Sequence, residues 1–359
     1  MPRQRSILAV LLVLALLSAC RLTAQPTSSA TPSASTATAS PATTTSSSTT
    51  PAGTATAHPY APLTIAAMRA RTYPGSDIVT EQTLQPGPNY NRYVVSYDSD
   101  GLRLFALLTV PTGIKPAGGW PVILLNHGYI PPPQYSTGES YAAIVDRLAS
   151  AGYIVIKPDY RGNGSSPGSP FQPYVSADYI TDSLNALASI RKYKDADPDR
   201  VGVWGHSMGG NITLHELVIN HDIKAAVIMA GVVGSYSDLI DWWKARVASG
   251  VLTTPNDLDT NRLVMEIVDA HGTPQSNPDF WNPMDPTEFL SDVTSPVLIQ
   301  VGSDDTVVPP GFSGQLAARL QSAGKPVQYH LYPGANHNLA PDTAAALDEA
   351  IAFFDQVLK

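Results

Sequence analysis

Six short, mostly apolar runs recur along the chain at residues 122–125, 153–156, 201–204, 225–229, 297–301 and 327–331, separated by stretches with helical periodicity. A run that is apolar at successive positions is buried on both faces, which suits a central strand of a parallel sheet. The helical stretches, at residues 139–150, 176–193, 208–220, 311–323 and 341–358, fall between those runs. Alternation of this kind predicts an α/β fold: a mostly parallel, doubly wound sheet whose functional loops leave the carboxyl ends of the strands. Ahead of it, residues 93–97 and 102–110 flank Asp98-Ser99-Asp100-Gly101, the pattern of an antiparallel hairpin. Residues 232–294 break the rhythm. They are too long for an ordinary connection and contain Trp242, Trp243, Phe280 and Trp281, so they are expected to form a helical cap inserted between strands.

The sheet pattern begins only after residue 60. Arg3 and Arg5 precede an apolar run over residues 7–17, too short for a stable transmembrane helix but suited to a signal peptide over residues 1–19. Residues 21–59 contain 12 Thr, 8 Ser, 9 Ala and 5 Pro, with no Phe, Trp, Tyr, Ile or Val. Such a segment cannot bury enough apolar surface to offset its ordering entropy, so residues 20–59 are expected to act as a disordered tether. A catalytic domain over residues 60–359 follows.

The single cysteine excludes an intrachain disulfide or a cysteine-rich zinc site. Twenty-two basic against 30 acidic residues give a formal charge of −8, which argues against a nucleic-acid partner. His215, Glu216 and His221 do not meet the H-E-x-x-H spacing, and no metal is expected.

Chemistry concentrates at Gly205-His206-Ser207-Met208-Gly209, a G-x-S-x-G sequence between a predicted strand and helix. A serine on such a sharp turn projects its hydroxyl from the sheet at the positive end of the following helix. A serine hydroxyl is a weak nucleophile and needs an imidazole to take its proton and a carboxylate to orient that imidazole. Candidates follow in the loops after the fifth and sixth runs: Asp304 and Asp305 in Gly302-Ser303-Asp304-Asp305-Thr306-Val307-Val308-Pro309, and His337 in Gly334-Ala335-Asn336-His337.

With the Ser, Asp and His segments in this order, residues 90–359 resemble the α/β-hydrolase superfamily, particularly the catalytic domain of the prolyl oligopeptidase family and related dienelactone-hydrolase-like esterases. Asn126-His127-Gly128-Tyr129 is similar to the family's oxyanion strand end, and Asp159-Tyr160-Arg161-Gly162-Asn163-Gly164-Ser165-Ser166 to its Gly-rich loop. The resemblance implies Ser207 as nucleophile, Asp305 rather than Asp304 as the acid, His337 as the base, and backbone N–H groups of Tyr129 and Met208 as the oxyanion hole. His127 and His206 are read as positional, and Arg161 as a structural ion-pair residue. Trp242, Trp243, Phe280 and Trp281 are candidates for the substrate pocket. No cofactor is implied.

Leu17-Ser18-Ala19-Cys20 resembles the bacterial lipobox, which implies lipidation of Cys20 and a membrane-anchored, extracytoplasmic protein. About 70 residues between the tether and the His-Gly motif leave no room for the β-propeller that members of the peptidase family usually carry. These features point to an anchored serine hydrolase of small ester, amide or short peptide substrates, with esterase favoured over peptidase activity. A catalytically silent surface binding module is the alternative of a different class, and the complete triad counts against it.

Overall fold

The computed structural model describes residues 60–170, 174–251 and 255–359. The leader, Cys20 and the Ser/Thr-rich segment lie outside them. Among the described residues nine strands form one sheet, in the order β1-β2-β3-β5-β4-β6-β7-β8-β9. The antiparallel portion comprises β1 (Val79–Leu84), β2 (Tyr90–Ser99) and β3 (Leu102–Pro111), with β2 and β3 joined at the predicted turn. β3 pairs antiparallel with β5 (Ile154–Pro158). From there β4 (Trp120–Asn126), β6 (Ala196–His206), β7 (Ala225–Met229), β8 (Val297–Gly302) and β9 (Val327–Tyr332) continue in parallel.

Side-chain alternation divides the core into two layers. On β4, Val122 and Leu124 enter one layer while Ile123 and Leu125 enter the other. The first layer is covered by α1 (Ile65–Ala70), α3 (Asp178–Ile190), α4 (Met208–Ile219) and α8 (Pro310–Ser322). The opposite layer is covered by α2 (Ala142–Ser150) and α9 (Thr343–Leu358). α4 is buried from Met208 to Val218, so it has no polar stripe and acts as the central helix behind the sheet.

Between β7 and β8 the chain forms α5 (Tyr236–Ala248), α6 (Pro255–His271) and α7 (Pro278–Trp281), then two 3-10 turns ending at Asp292. α5 starts in a capping box: Ser235 Oγ accepts from Asp238 N–H at 3.2 Å, and Asp238 Oδ2 accepts from Ser235 N–H at 3.1 Å. The second half of this interval turns back onto the core. Arg319 of α8 donates to the Thr287 carbonyl at 2.7 Å and to Glu288 at 2.8 Å.

Strand order reverses at β4, with β5 on one side and β6 on the other. A crevice opens at such a switch point, where the loops after neighbouring strands diverge. The His-Gly loop after β4 and the serine turn after β6 flank it. Among the described residues no helix is long and apolar enough to cross a membrane.

Candidate active site

β6 ends at His206 and α4 begins at Met208, which leaves Ser207 alone in the turn with φ 56° and ψ −121°. A positive φ at a residue with a side chain is strained and persists only where its surroundings fix it. Here Ser207 N–H donates to the Met229 carbonyl at 3.1 Å, and the Ser207 carbonyl accepts from Gly210 and Val232 at 2.9 and 3.0 Å. The flanking glycines are required by contact. A Cβ on Gly205 would lie 2.4 Å from both the Gly209 carbonyl and Thr213 Oγ1, and one on Gly209 would lie 1.9 Å from the Asn126 carbonyl. The motif is thus the condition for α4 to turn back tightly against β4 and β6.

The acid and base loops are bound to each other chiefly by backbone. Ser303 N–H donates to the Tyr332 carbonyl at 2.9 Å, Asp304 N–H to the Ala335 carbonyl at 3.0 Å, and Gly334 N–H to Ser303 Oγ at 2.7 Å. Asp305 points inward, its side chain fully buried, and Oδ2 accepts from His337 Nδ1 at 2.8 Å. Its other oxygen accepts from Val307 and Val308 N–H at 2.8 and 2.9 Å. An ionised carboxylate only accepts, so the His337 proton sits on Nδ1 and Nε2 keeps its lone pair. Asp304 is exposed and meets Ser303 Oγ at 2.8 Å instead. The two adjacent aspartates are thereby distinguished by direction.

A cavity of about 740 Å³ opens over Ser207 and is lined by His337, Met208 and Tyr129, so the predicted nucleophile, base and oxyanion positions share one space. Met208 is the first residue of α4, where backbone N–H groups have no intrahelical acceptor and the helix dipole is positive. Tyr129 follows the β4 end, which is fixed from below by Asn126. That buried amide donates to Glu216 at 2.7 Å and Thr213 at 3.1 Å, and accepts from Ser183 at 2.6 Å and Tyr160 at 3.2 Å.

His127 points into the core, not the cavity. Its ring stacks on Tyr160 with centroids 4.5 Å apart, and burial first, then the charge of Lys157, lowers its pKa to about 3. Arg161 makes the expected structural ion pairs: two bonds to Asp182 at 2.6 and 2.9 Å and one to Asp178 at 2.9 Å.

The pocket expectation needs one correction. Trp242 and Trp243 of α5 line the cavity, together with Tyr174, Ile130, Ile144 and Val232. Phe280 and Trp281 do not. Phe280 stacks on His271 at 4.1 Å, while buried Trp281 donates Nε1–H to the Gly272 carbonyl at 2.9 Å and packs on Tyr236. These contacts hold α6 and α7 to the core.

Further members of the site carry no sequence signal. Tyr141 at the start of α2, Arg246 of α5 and Glu139 line the same cavity, yet none lies in a motif. Only their position near the His-Gly loop or within the Trp-containing interval could have pointed to them.

The family model of the prolyl oligopeptidase family matches residues 139–359. An uncharacterized peptidase of Bacillus subtilis, YtmA, is 26% identical over 266 residues, which is 74% of this chain and 93% of that protein. Among solved structures, acetyl xylan esterase 1 from Thermoanaerobacterium sp. superposes with a TM-score of 0.58 at 16% identity, covering 82% of this chain and 91% of that one. The acylaminoacyl peptidase of Pyrococcus horikoshii gives the same TM-score at 20% identity, covering 76% of this chain but 42% of its own. The chain therefore spans nearly the full length of YtmA and of the esterase, and less than half of the acylaminoacyl peptidase. The structural likenesses establish an α/β-hydrolase fold.

Proposed function

The chain belongs to the prolyl oligopeptidase family and is a serine hydrolase, and from that premise we propose that it is an esterase for bulky apolar acyl groups, tethered to a membrane through Cys20. In this reading Ser207 Oγ attacks the acyl carbon and its proton passes to His337 Nε2. Asp305 holds the imidazole and stabilises the imidazolium that forms. Backbone N–H groups of Tyr129 and Met208 receive the oxyanion, each contributing about 3 to 4 kcal/mol to the transition state. His337 then protonates the leaving alcohol, and water repeats the sequence to release the acid.

The observation that carries the substrate class is the lining of the cavity. Its volume, about 740 Å³, suits a small organic ligand, and Trp242, Trp243, Tyr174, Ile130, Ile144 and Val232 present apolar surface beside Ser207. Extended peptides are recognised mainly through main-chain hydrogen bonds, which such walls supply sparsely. Residues 60–126 are taken up by α1 and β1 to β4, which supports a catalytic domain that works without a propeller in that interval. A peptidase is the second reading, favoured by the family match itself. The Ser18-Ala19-Cys20 sequence after an apolar run supports the anchor.

A matched panel of acyl esters and aminoacyl or peptidyl amides tests the proposal. The expected result is a kcat/KM at least about tenfold higher for esters of branched or aromatic acids than for any amide, a difference of about 1.4 kcal/mol in barrier. Trp242→Ala is expected to erode the preference for bulky over acetyl esters. Amides turned over as well as or better than esters would overturn the esterase reading in favour of a peptidase.

A further inference from the structure

One polar connection crosses the floor of the cavity, linking the oxyanion loop to the base loop without touching Ser207 Oγ. Gly128 N–H donates to Tyr141 Oη at 2.8 Å, Tyr141 Oη meets His206 Nδ1 at 2.6 Å, and His206 Nε2 meets the His337 carbonyl at 3.1 Å. With the buried His206 ring neutral, only one arrangement of protons satisfies all three contacts. The His337 carbonyl can only accept, so a neutral His206 ring carries its proton on Nε2, and its Nδ1 accepts from Tyr141 Oη, which itself accepts from Gly128 N–H.

We propose that Tyr141 and His206 are positioning residues that set the oxyanion loop against the catalytic base, so that the donor at Tyr129 and the imidazole of His337 are held at a fixed separation across Ser207. This inference rests on the serine-hydrolase reading above. Three further features support it. Gly128 is wedged in place: a Cβ there would lie 2.6 Å from Tyr141 Oη and 3.0 Å from Ser207 Cβ, so a displaced hydroxyl shifts the loop relative to the nucleophile. Tyr141 is held at φ 63°, a left-handed conformation that a tyrosine adopts only under constraint. Burial, and next the neighbouring His337, lower the pKa of His206 to about 3, which keeps the ring neutral and its tautomer fixed while His337 cycles its proton.

The test uses full-length protein and a chromogenic acyl ester, with active sites counted by fluorophosphonate labelling. Tyr141→Phe removes one hydroxyl from the relay, and kcat is expected to fall about 10- to 100-fold while KM stays within about twofold, as displacement of catalytic groups predicts. His206→Asn keeps an acceptor near Nδ1 and His206→Gln keeps a donor near Nε2, so each is expected to retain more activity than His206→Ala. Combining Tyr141→Phe with His206→Gln is expected to be less damaging than the product of the two single effects, because both break one relay. Tyr141→Phe with unchanged kcat and KM, or strictly multiplicative effects in the cycle, would overturn the relay while leaving the hydrolase intact. Should Tyr141→Phe not fold, the ranking of the three His206 variants decides, and equal activities among them count against the relay. Folded wild type that neither labels nor turns over ester would instead overturn the hydrolase reading, and the relay with it.

Discussion

The two halves of the catalytic floor are held in place by different means. The acid and base loops leave adjacent strands β8 and β9 and are joined chiefly by backbone bonds such as Ser303 N–H to Tyr332 and Asp304 N–H to Ala335. The oxyanion loop, by contrast, is pinned by side chains that meet partners at the ends of the flanking strands β5 and β6. Tyr135 Oη accepts from buried Lys157 at 2.6 Å and donates to Asp159 at 2.7 Å, Thr137 donates to the other Asp159 oxygen at 2.5 Å, and Tyr141 reaches His206. Where backbone supplies the scaffold, a side-chain change removes chemistry and leaves geometry. Where buried side chains supply it, the same change disturbs geometry or stability first.

The adjacent aspartates are expected to respond most differently. Asp305→Asn is expected to lower kcat about 10⁴-fold with little effect on folding, since the amide can present a donor to Nδ1 and favour the wrong imidazole tautomer. Asp304→Asn is expected to stay within about threefold of wild type, as a change confined to an exposed contact should. Steady-state kinetics on both variants checks this, and similar losses would reassign the acid.

In the oxyanion half, Tyr135→Phe should act on stability. It strips Lys157 of an acceptor at 2.6 Å, and Lys157 is fully buried with a pKa lowered by burial to about 8. Breaking such a buried arrangement is expected to cost about 3 kcal/mol in denaturant unfolding, with kcat changed far less than in Asp305→Asn. A variant as stable as wild type would show that the loop does not depend on these side chains.

A smaller effect is expected beneath the β4 end. Glu216 is fully buried and its pKa is raised from 4.5 to about 7, because burial outweighs the lowering effect of the neighbouring Ser183 and Asn126 side chains. The folded state then holds this proton more tightly than the unfolded chain, so its contribution to stability is greatest at acidic pH and is lost as pH rises through about 7. Between about pH 5 and pH 7 the loss amounts to about 2 kcal/mol. Glu216→Gln is expected to flatten that part of the stability profile, and thermal melts across the range would show an unchanged slope if Glu216 titrates normally.

The same contrast explains what could be read in the chain before its structure. Ser207, Asp305 and His337 stand out because chemistry restricts their residue types and the fold restricts their order on successive strand ends. The central strands stand out because burial on both faces leaves continuous apolar runs. β1 left no such trace: it is an edge strand exposed over nearly all its length, and Val79-Thr80-Glu81-Gln82-Thr83-Leu84 carries no alternation toward a core. Tyr141 was equally silent, since its role comes from Gly128 and His206, 13 and 65 residues away. Trp281 misled for the converse reason. It lies in the same inserted interval as Trp242, but it is buried against Tyr236 and bonded to the Gly272 carbonyl, so a shared interval did not become a shared wall.

Hydrolysis is expected to depend most directly on Ser207 as an activated nucleophile. Fluorophosphonate labelling of the intact protein, read by mass at the modified residue, is expected to place one adduct on Ser207, with labelling and ester turnover both lost in folded Ser207→Ala. Labelling that persists in Ser207→Ala, or well-folded wild type that takes up no label, would contradict it.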